Sequence, residues 1–64
     1  MLKVRAIGVR TLSNFTHGEV YEVEERIPAR WEYSANWLAP EAYVIRDDHG
    51  RLAYVHASSF ETIN

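Results

Sequence analysis

The clearest pattern of hydrophobic and polar positions lies in residues 43–60. Two short apolar runs there flank the polar segment Asp47–Arg51. Gly50 can adopt a positive φ without a Cβ clash, which favours a three-residue hairpin loop with a G1 bulge. The pattern therefore predicts a β-hairpin. Counting outward from the turn gives the pairs Arg46–Leu52, Ile45–Ala53, Val44–Tyr54 and Tyr43–Val55.

Alternation along these two strands gives the hairpin two different faces. One face is apolar throughout and is expected to join the core: Tyr43, Ile45, Ala53 and Val55. The other face is only half polar: Val44, Arg46, Leu52, Tyr54 and His56. Unless another segment covers them, Val44, Leu52 and Tyr54 form an exposed apolar patch, which marks them as candidate partner-binding residues.

Alternating positions predict two earlier strands, at Leu2–Arg10 and Glu19–Ile27. Gly8 in the first strand indicates a bulge or a close approach of another backbone segment. The first strand is basic and the second is rich in glutamate, so we expect cross-strand charge pairs between them. Val20 is expected to be buried at the start of the second strand.

The connecting segments carry weaker signals. Val9–His17 is predicted to be a loop held by Leu12 and Phe15, and it ends in a turn at His17-Gly18. After the hairpin, residues 56–60 predict a short 3₁₀ corner with Ser58 and Ser59 as caps. A last strand is predicted at Glu61–Asn64.

Residues 28–41 hold both tryptophans and both prolines of the chain. We predict a long loop, with a helical turn at Glu32–Leu38 because Tyr33 and Trp37 lie four residues apart. Long loops in small domains are usually functional, and Trp and Tyr often anchor interfaces. We therefore expect Trp31 and Tyr33 to bind a partner. Trp37 and Leu38 are expected to hold the loop against the body, with Trp37 also a candidate partner-binding residue.

Length and charge limit the classes of function. The chain has 64 residues, which predicts a single domain over 1–64, and it has no cysteine. A net charge of −2 argues against broad binding to a phosphate backbone. No signal peptide, membrane span or lipidation motif is recognisable, so we expect a soluble cytoplasmic protein with no membrane partner.

The residues that could carry chemistry do not form a recognisable motif. His17, His49 and His56 lack the spacing of metal ligands, and the adjacent Asp47 and Asp48 lack the alternating oxygens of a calcium loop. There is no nucleophile elbow and no phosphate-binding glycine loop. We therefore expect no enzymatic activity, no metal and no cofactor.

Two stretches carry a family resemblance. Residues 12–23, Leu-Ser-Asn-Phe-Thr-His-Gly-Glu-Val-Tyr-Glu-Val, resemble the entry to the second strand of Src-homology-3 (SH3) domains. Residues 50–60, Gly-Arg-Leu-Ala-Tyr-Val-His-Ala-Ser-Ser-Phe, resemble the distal strand and 3₁₀ corner of the same fold. The resemblance implies an all-β fold: a five-stranded, strongly bent antiparallel SH3-like barrel with a long aromatic loop between strands 2 and 3. The chain resembles the broader bacterial and phage SH3-like proteins more than the eukaryotic signalling domains.

The polyproline groove of signalling SH3 domains is not retained. Its first aromatic motif is replaced here by Ala6-Ile7-Gly8-Val9-Arg10, its proline by His56 and its corner tyrosine by Phe60. Binding of proline motifs is therefore not expected.

The leading hypothesis is a small protein-binding module, of the kind a phage or prophage uses to dock on a host enzyme. The first alternative is a nucleic-acid-associated SH3-like module, in which Trp31 or Tyr33 stacks on bases. Its phosphate contacts would come from Lys3, Arg5, Arg10, Arg26, Arg30, Arg46 and Arg51. The second alternative is a structural homodimer.

Overall fold

A computed structural model of the chain describes residues 1–8 and 12–63. Within them the strands are β1 (Lys3–Ala6), β2 (Val20–Ile27), β3 (Arg30–Glu32), β4 (Trp37–Ala39), β5 (Ala42–Arg46), β6 (Leu52–His56) and β7 (Phe60–Ile63). A single 3₁₀ turn, Ala57–Ser59, is the only helical element of the described residues. The predicted all-β class is confirmed.

Five of the strands form one antiparallel sheet in the order β6-β5-β2-β1-β7, and β3 and β4 form a separate two-stranded sheet. The prediction of a five-stranded antiparallel sheet is confirmed. Among the described residues the sheet is open, with β6 and β7 at its two edges. The register of β2 against β5 shifts between Val23 and Glu25, a bulge that allows the long β2 strand to bend.

The β5–β6 hairpin has the predicted register. Tyr43 lies opposite Val55, and the pairs continue without a shift to Arg46 and Leu52. At the turn, the amide of Asp47 donates to the carbonyl of Arg51 at 2.8 Å, and Gly50 has a φ of +80°. Gly50 thus supplies the left-handed residue that the sequence pattern required.

The core lies on the inner face of the sheet and is small. Its buried residues are Val4, Ala6, Phe15, Ala42, Tyr43, Ile45, Val55 and Phe60. Phe15 meets Phe60 edge-to-face, with ring centroids 5.6 Å apart. The expectation that Val20 is buried is wrong: it lies opposite the exposed Arg5 on the outer face and remains 43% exposed.

The chain after β1 passes close to the 3₁₀ turn. The amides of Ile7 and Gly8 both donate to the carbonyl of Ser59 at 3.0 Å. A Cβ added at Gly8 would lie 3.4 Å from Cα of Ser59, so the predicted close backbone approach is confirmed. The predicted first strand extended to Arg10 and the predicted last strand to Asn64, and both of those ends lie outside the described residues.

The 3₁₀ corner before the last strand is present, but its capping differs from the prediction. His56 occupies the N-cap position and makes no side-chain capping bond, while Ser58 and Ser59 lie inside the turn. The amide of Ala57 instead donates to the carbonyl of Glu41 at 2.9 Å. The corner is therefore held by the residue directly before β5 rather than by serine caps.

The charge pairs also differ from the expectation. Lys3 lies opposite Glu22 in the β1–β2 register, but the ion pair of β1 is made with β7, between Arg5 and Glu61 at 3.4 Å. Both side chains of that pair are substantially exposed, so it contributes only about 0–1 kcal/mol to stability.

The predicted helical turn at Glu32–Leu38 is wrong, because this segment forms the β3–β4 hairpin. Trp31 lies opposite Leu38, and Glu32 lies opposite Trp37. The four-residue spacing of Tyr33 and Trp37 spans a tight turn in which Asn36 has a φ of +54°. Asparagine tolerates this left-handed conformation, so the flanking residues can stay extended and pair.

Candidate functional site

The β3–β4 hairpin carries large apolar side chains on both of its faces. Residues opposite each other in an antiparallel pair share a face, which places Trp31 with Leu38. Tyr33 joins them, since its ring meets that of Trp31 edge-to-face with centroids 6.3 Å apart. These three residues, the hairpin patch, are 45% (Trp31), 60% (Leu38) and 87% (Tyr33) exposed.

The opposite face of the hairpin borders a cleft. Trp37 and Glu32 line it from the hairpin, and Tyr54 and His56 line it from β6. The cleft has a volume of about 430 Å³ and is completed by Ser34, Ala35, Ala39 and Pro40. Trp37 is 49% exposed and Tyr54 is 61% exposed, so both aromatic side chains remain reachable from solvent.

The predicted partner-binding residues thus form two groups. Trp31 and Tyr33 belong to the hairpin patch. Trp37 belongs to the cleft with Tyr54, and Val44 and Leu52 share the outer sheet face with Tyr54. Val44 is half-buried, whereas Leu52 is 57% exposed.

The expectation that Leu38 holds the segment against the body is wrong, because it lies in the hairpin patch and is more exposed than Trp31. Sequence reasoning missed it as a candidate site residue. No sequence signal marks its place beside Trp31, because strands of three residues are too short for alternation to be distinctive.

Ion pairs neutralise the arginines nearest the hairpin. Nε of Arg30 lies 2.6 Å from Oε1 of Glu32, on the two sides of Trp31 in the sequence. Arg26 is paired in the same way with Glu41. The surface around the hairpin patch therefore presents balanced charge rather than a basic field.

A second polar cluster ties the loop before β2 to the turn of the β5–β6 hairpin. The carboxylate of Asp48 accepts hydrogen bonds of 2.7 Å from Oγ1 of Thr16 and from the Tyr21 hydroxyl. The carboxylate of Asp47 accepts one of 2.9 Å from the side-chain amide of Asn14. Asp47 also accepts the amides of His49 and Arg51, which closes the turn.

These contacts shift the acidity of the cluster. The hydrogen bonds from Thr16 and then Tyr21 lower the pKa of Asp48, and those from Asn14 and then the Arg51 amide lower the pKa of Asp47. Burial is the main cause that raises the pKa of Tyr21. The carboxylates are held as hydrogen-bond acceptors by the loop before β2 and by β2 itself.

The described part of the chain holds no group of three or more metal-ligating side chains placed to bind a metal ion. None of its helical segments has the length and apolar character needed to cross a lipid bilayer.

Comparison with known proteins gives no match for this chain, whether among protein families, curated proteins or solved structures.

Proposed function

We propose that this chain is a small, non-enzymatic protein-binding module with an SH3-like fold. The observation that carries the proposal is the hairpin patch, in which Trp31, Tyr33 and Leu38 are together and exposed. Aromatic side chains of this kind contribute most of the affinity at protein interfaces when a partner covers them.

The SH3-like part of the proposal rests on the architecture. The antiparallel sheet of five strands, the β5–β6 hairpin and the 3₁₀ turn directly before β7 are the elements that the sequence resemblance implies. The bulge in β2 supports the same proposal, since a strand that bends there can take part in both halves of a barrel.

The hairpin patch presents its large apolar side chains to a partner at a low cost in conformational entropy. Trp31 and Leu38 are held side by side by backbone pairing, so little backbone freedom remains to be lost on binding. Tyr33 extends furthest into solvent, with 87% of its surface exposed. A partner with an apolar pocket of matching size would bury all three side chains at once.

The charges favour a protein partner over a nucleic acid. Arg26 and Arg30 are each paired with a carboxylate, and the chain as a whole has a net charge of −2. Phosphate contacts there would first require those ion pairs to open. Binding to a protein through apolar contacts has no such requirement.

The test is capture of the partner from native cell extract by the tagged protein, repeated after nuclease treatment and at rising salt. We expect nuclease to leave the capture unchanged and salt to weaken it little, whereas nucleic-acid binding falls steeply with salt. The double variant Trp31→Ala, Tyr33→Ala should lose the captured protein.

The matched control is Tyr54→Ala, an exposed aromatic on the cleft side, which should retain it. If the control loses the partner and the double variant keeps it, the binding surface is the outer face around Tyr54 and not the hairpin patch.

A further inference from the structure

Strand β6 presents backbone groups at an edge of the sheet. Along an antiparallel pair, alternate residues direct their N–H and C=O groups toward the partner strand. Arg51 and Ala57 bond to β5-side residues, because the Arg51 carbonyl accepts the Asp47 amide and the Ala57 amide donates to the Glu41 carbonyl. Residues of the same parity, Ala53 and Val55, therefore face β5. The backbone groups of Leu52, Tyr54 and His56 face outward.

The sequence of β6 lacks the features that usually prevent strand pairing. Natural edge strands are protected by charged side chains, proline, bulges or a covering segment. Residues 52–56 contain no charge and no proline, and they pair with β5 without a register shift. The edge strand β7, by contrast, carries Glu61.

Space is available beside β6. A cleft of about 280 Å³ borders Tyr54, Val55 and His56 and is also lined by Leu12 and Ser59. Within the part of the chain that the structure describes, the sheet order ends at β6 and no further strand pairs with it.

We propose that β6 is a pairing edge through which two copies of this chain associate, antiparallel and centred on Tyr54. In that register Tyr54 lies opposite its own copy, and Leu52 lies opposite His56 of the second copy. The three outward-facing residues of each copy would together make about six backbone hydrogen bonds. Two-fold association of this kind is the commonest form of protein oligomer.

The composition of the edge favours a second copy as its occupant. The chain has a net charge of −2, yet an isologous contact along residues 52–56 brings no like charges together. The same contact joins the outer side chains of Leu52 and Tyr54, 57% and 61% exposed, into one apolar surface across the two-fold axis. A domain with so small a core gains stability from covering such a surface.

The interface is also small. Pairing of two five-residue strands buries less than the roughly 1,200–2,000 Å² typical of stable complexes. The expected dissociation constant is therefore on the order of micromolar, so self-association should depend visibly on protein concentration.

A single cysteine tests the register directly, because the chain has none of its own. Directly opposed residues of a hydrogen-bonded antiparallel pair have Cα atoms about 5.5 Å apart, but their Cβ atoms are also about 5.5 Å apart, beyond the roughly 3.5–4.5 Å of a disulfide. A short bis-maleimide spans that gap, and we expect it to cross-link Tyr54→Cys into a dimer at least about tenfold faster than Glu22→Cys. Glu22 is the matched control, since it is exposed on β2, an inner strand that cannot pair with another copy.

The second measurement is sedimentation equilibrium of the unmodified chain and of Tyr54→Pro. Proline removes the outward N–H of residue 54 but no bond to β5, and edge strands tolerate it. We expect the variant to associate at least about tenfold more weakly, which corresponds to about 1.4 kcal/mol, and Tyr54→Phe to associate like the parent.

If Tyr54→Pro fails to fold, as circular dichroism would reveal, the cysteine comparison decides alone. Cross-linking of Tyr54→Cys no faster than that of Glu22→Cys would overturn the proposal. A parent chain that stays monomeric at millimolar concentration would also overturn the proposal. This holds even if the β6 edge is found to bind a strand from a different protein.

Discussion

The hydroxyl of Tyr21 donates a 2.7 Å hydrogen bond to Oδ1 of Asp48 and accepts one of 2.9 Å from the amide of Thr16. One side chain on β2 therefore connects the loop before it to the turn between β5 and β6. The ring of Tyr21 also meets Phe15 and Phe60 edge-to-face, with centroids 5.1 and 6.3 Å away. The residue joins the polar cluster at the surface to the aromatic part of the core.

Replacing Tyr21 by phenylalanine should separate these two roles. The ring contacts remain, while the hydrogen bonds to Asp48 and Thr16 are lost. We expect the free energy of unfolding, measured by urea titration, to fall by about 1 kcal/mol, the usual net value for such bonds. Tyr54→Phe removes a hydroxyl from an exposed ring on β6 and should change little. Equal stability of Tyr21→Phe and the parent would contradict the proposed role of the hydroxyl.

The same cluster predicts how stability depends on acid. Because the pKa values of Asp47 and Asp48 are lowered in the folded chain, the unfolded chain binds these protons more readily. The stabilisation is therefore fully present above the unfolded pKa, about 4, and is lost as the pH falls through the lower folded values.

We expect the contribution of these two carboxylates to the urea midpoint of unfolding to be constant above about pH 5 and to decrease below about pH 4. Asp48→Asn should make that drop shallower, whereas Glu24→Gln, at an exposed position on β2, should not. An acid dependence that is identical in the parent and in Asp48→Asn would contradict the assignment.

Phe60 is predicted to be the most sensitive core position. It is only 6% exposed and meets the rings of Phe15, Tyr21 and Tyr43. Phe60→Ala should cost about 3–5 kcal/mol, which approaches the whole stability of a domain of this size. Thermal unfolding followed by circular dichroism measures the effect, with Leu52→Ala as the exposed control. A melting temperature within a few degrees of the parent would exclude Phe60 from the core.

Gly50 is required for its backbone conformation rather than for space. Its φ is +80°, and nothing lies within 4 Å of the position where a Cβ would be. Gly50→Ala should therefore destabilise the chain by about 1–2 kcal/mol through strain alone, and Gly50→Asn should cost less because asparagine tolerates this conformation. Urea titration of the two variants should rank them in that order, and the reverse order would point to a side-chain clash instead.

The hairpin patch makes a prediction in which stability and binding separate. The double change Trp31→Ala, Tyr33→Ala removes exposed rings on the β3–β4 hairpin, so the melting temperature should remain close to that of the parent. Partner binding, measured by titration calorimetry, should weaken by more than about 2 kcal/mol. Trp37→Ala changes the cleft face only and should lower stability while retaining the partner. Unfolding of the double variant would show that the patch is structural.

The sequence predicted some elements well because their local chemistry has one solution. Gly50 fixes the turn, and the turn fixes which residue of β5 faces which residue of β6, so the register followed by counting. The β3–β4 hairpin was missed for the opposite reason. A spacing of four between Tyr33 and Trp37 is also the spacing of a helix, and strands of three residues are too short for alternation to be distinctive.

The sequence predicted which aromatic residues belong to the candidate site, but not which of them lie together on one face. Trp31, Tyr33 and Trp37 are recognisable as anchors from residue type alone. Their division between two faces depends on the pairing of Trp31 with Leu38, which only the structure supplies. The hydrogen bonds of Asp48 could not be predicted from the sequence either. They join Thr16 and Tyr21 to a turn some 30 residues later in the chain.

The position of β1 between β2 and β7 has a consequence for folding order. Lys3 pairs with Ile63 and Ala6 with Phe60, so β1 cannot complete its hydrogen bonds until the last strand has left the ribosome. The β5–β6 hairpin and its hydrogen bonds with β2 can form before β7 is available. Pairing of β1 with β7, which are far apart in the sequence, is the kind of non-local contact that slows folding to milliseconds or seconds. Until β7 (Phe60–Ile63) is synthesised, β1 therefore exposes unpaired backbone groups on one side. Pairing with β7 then satisfies these groups.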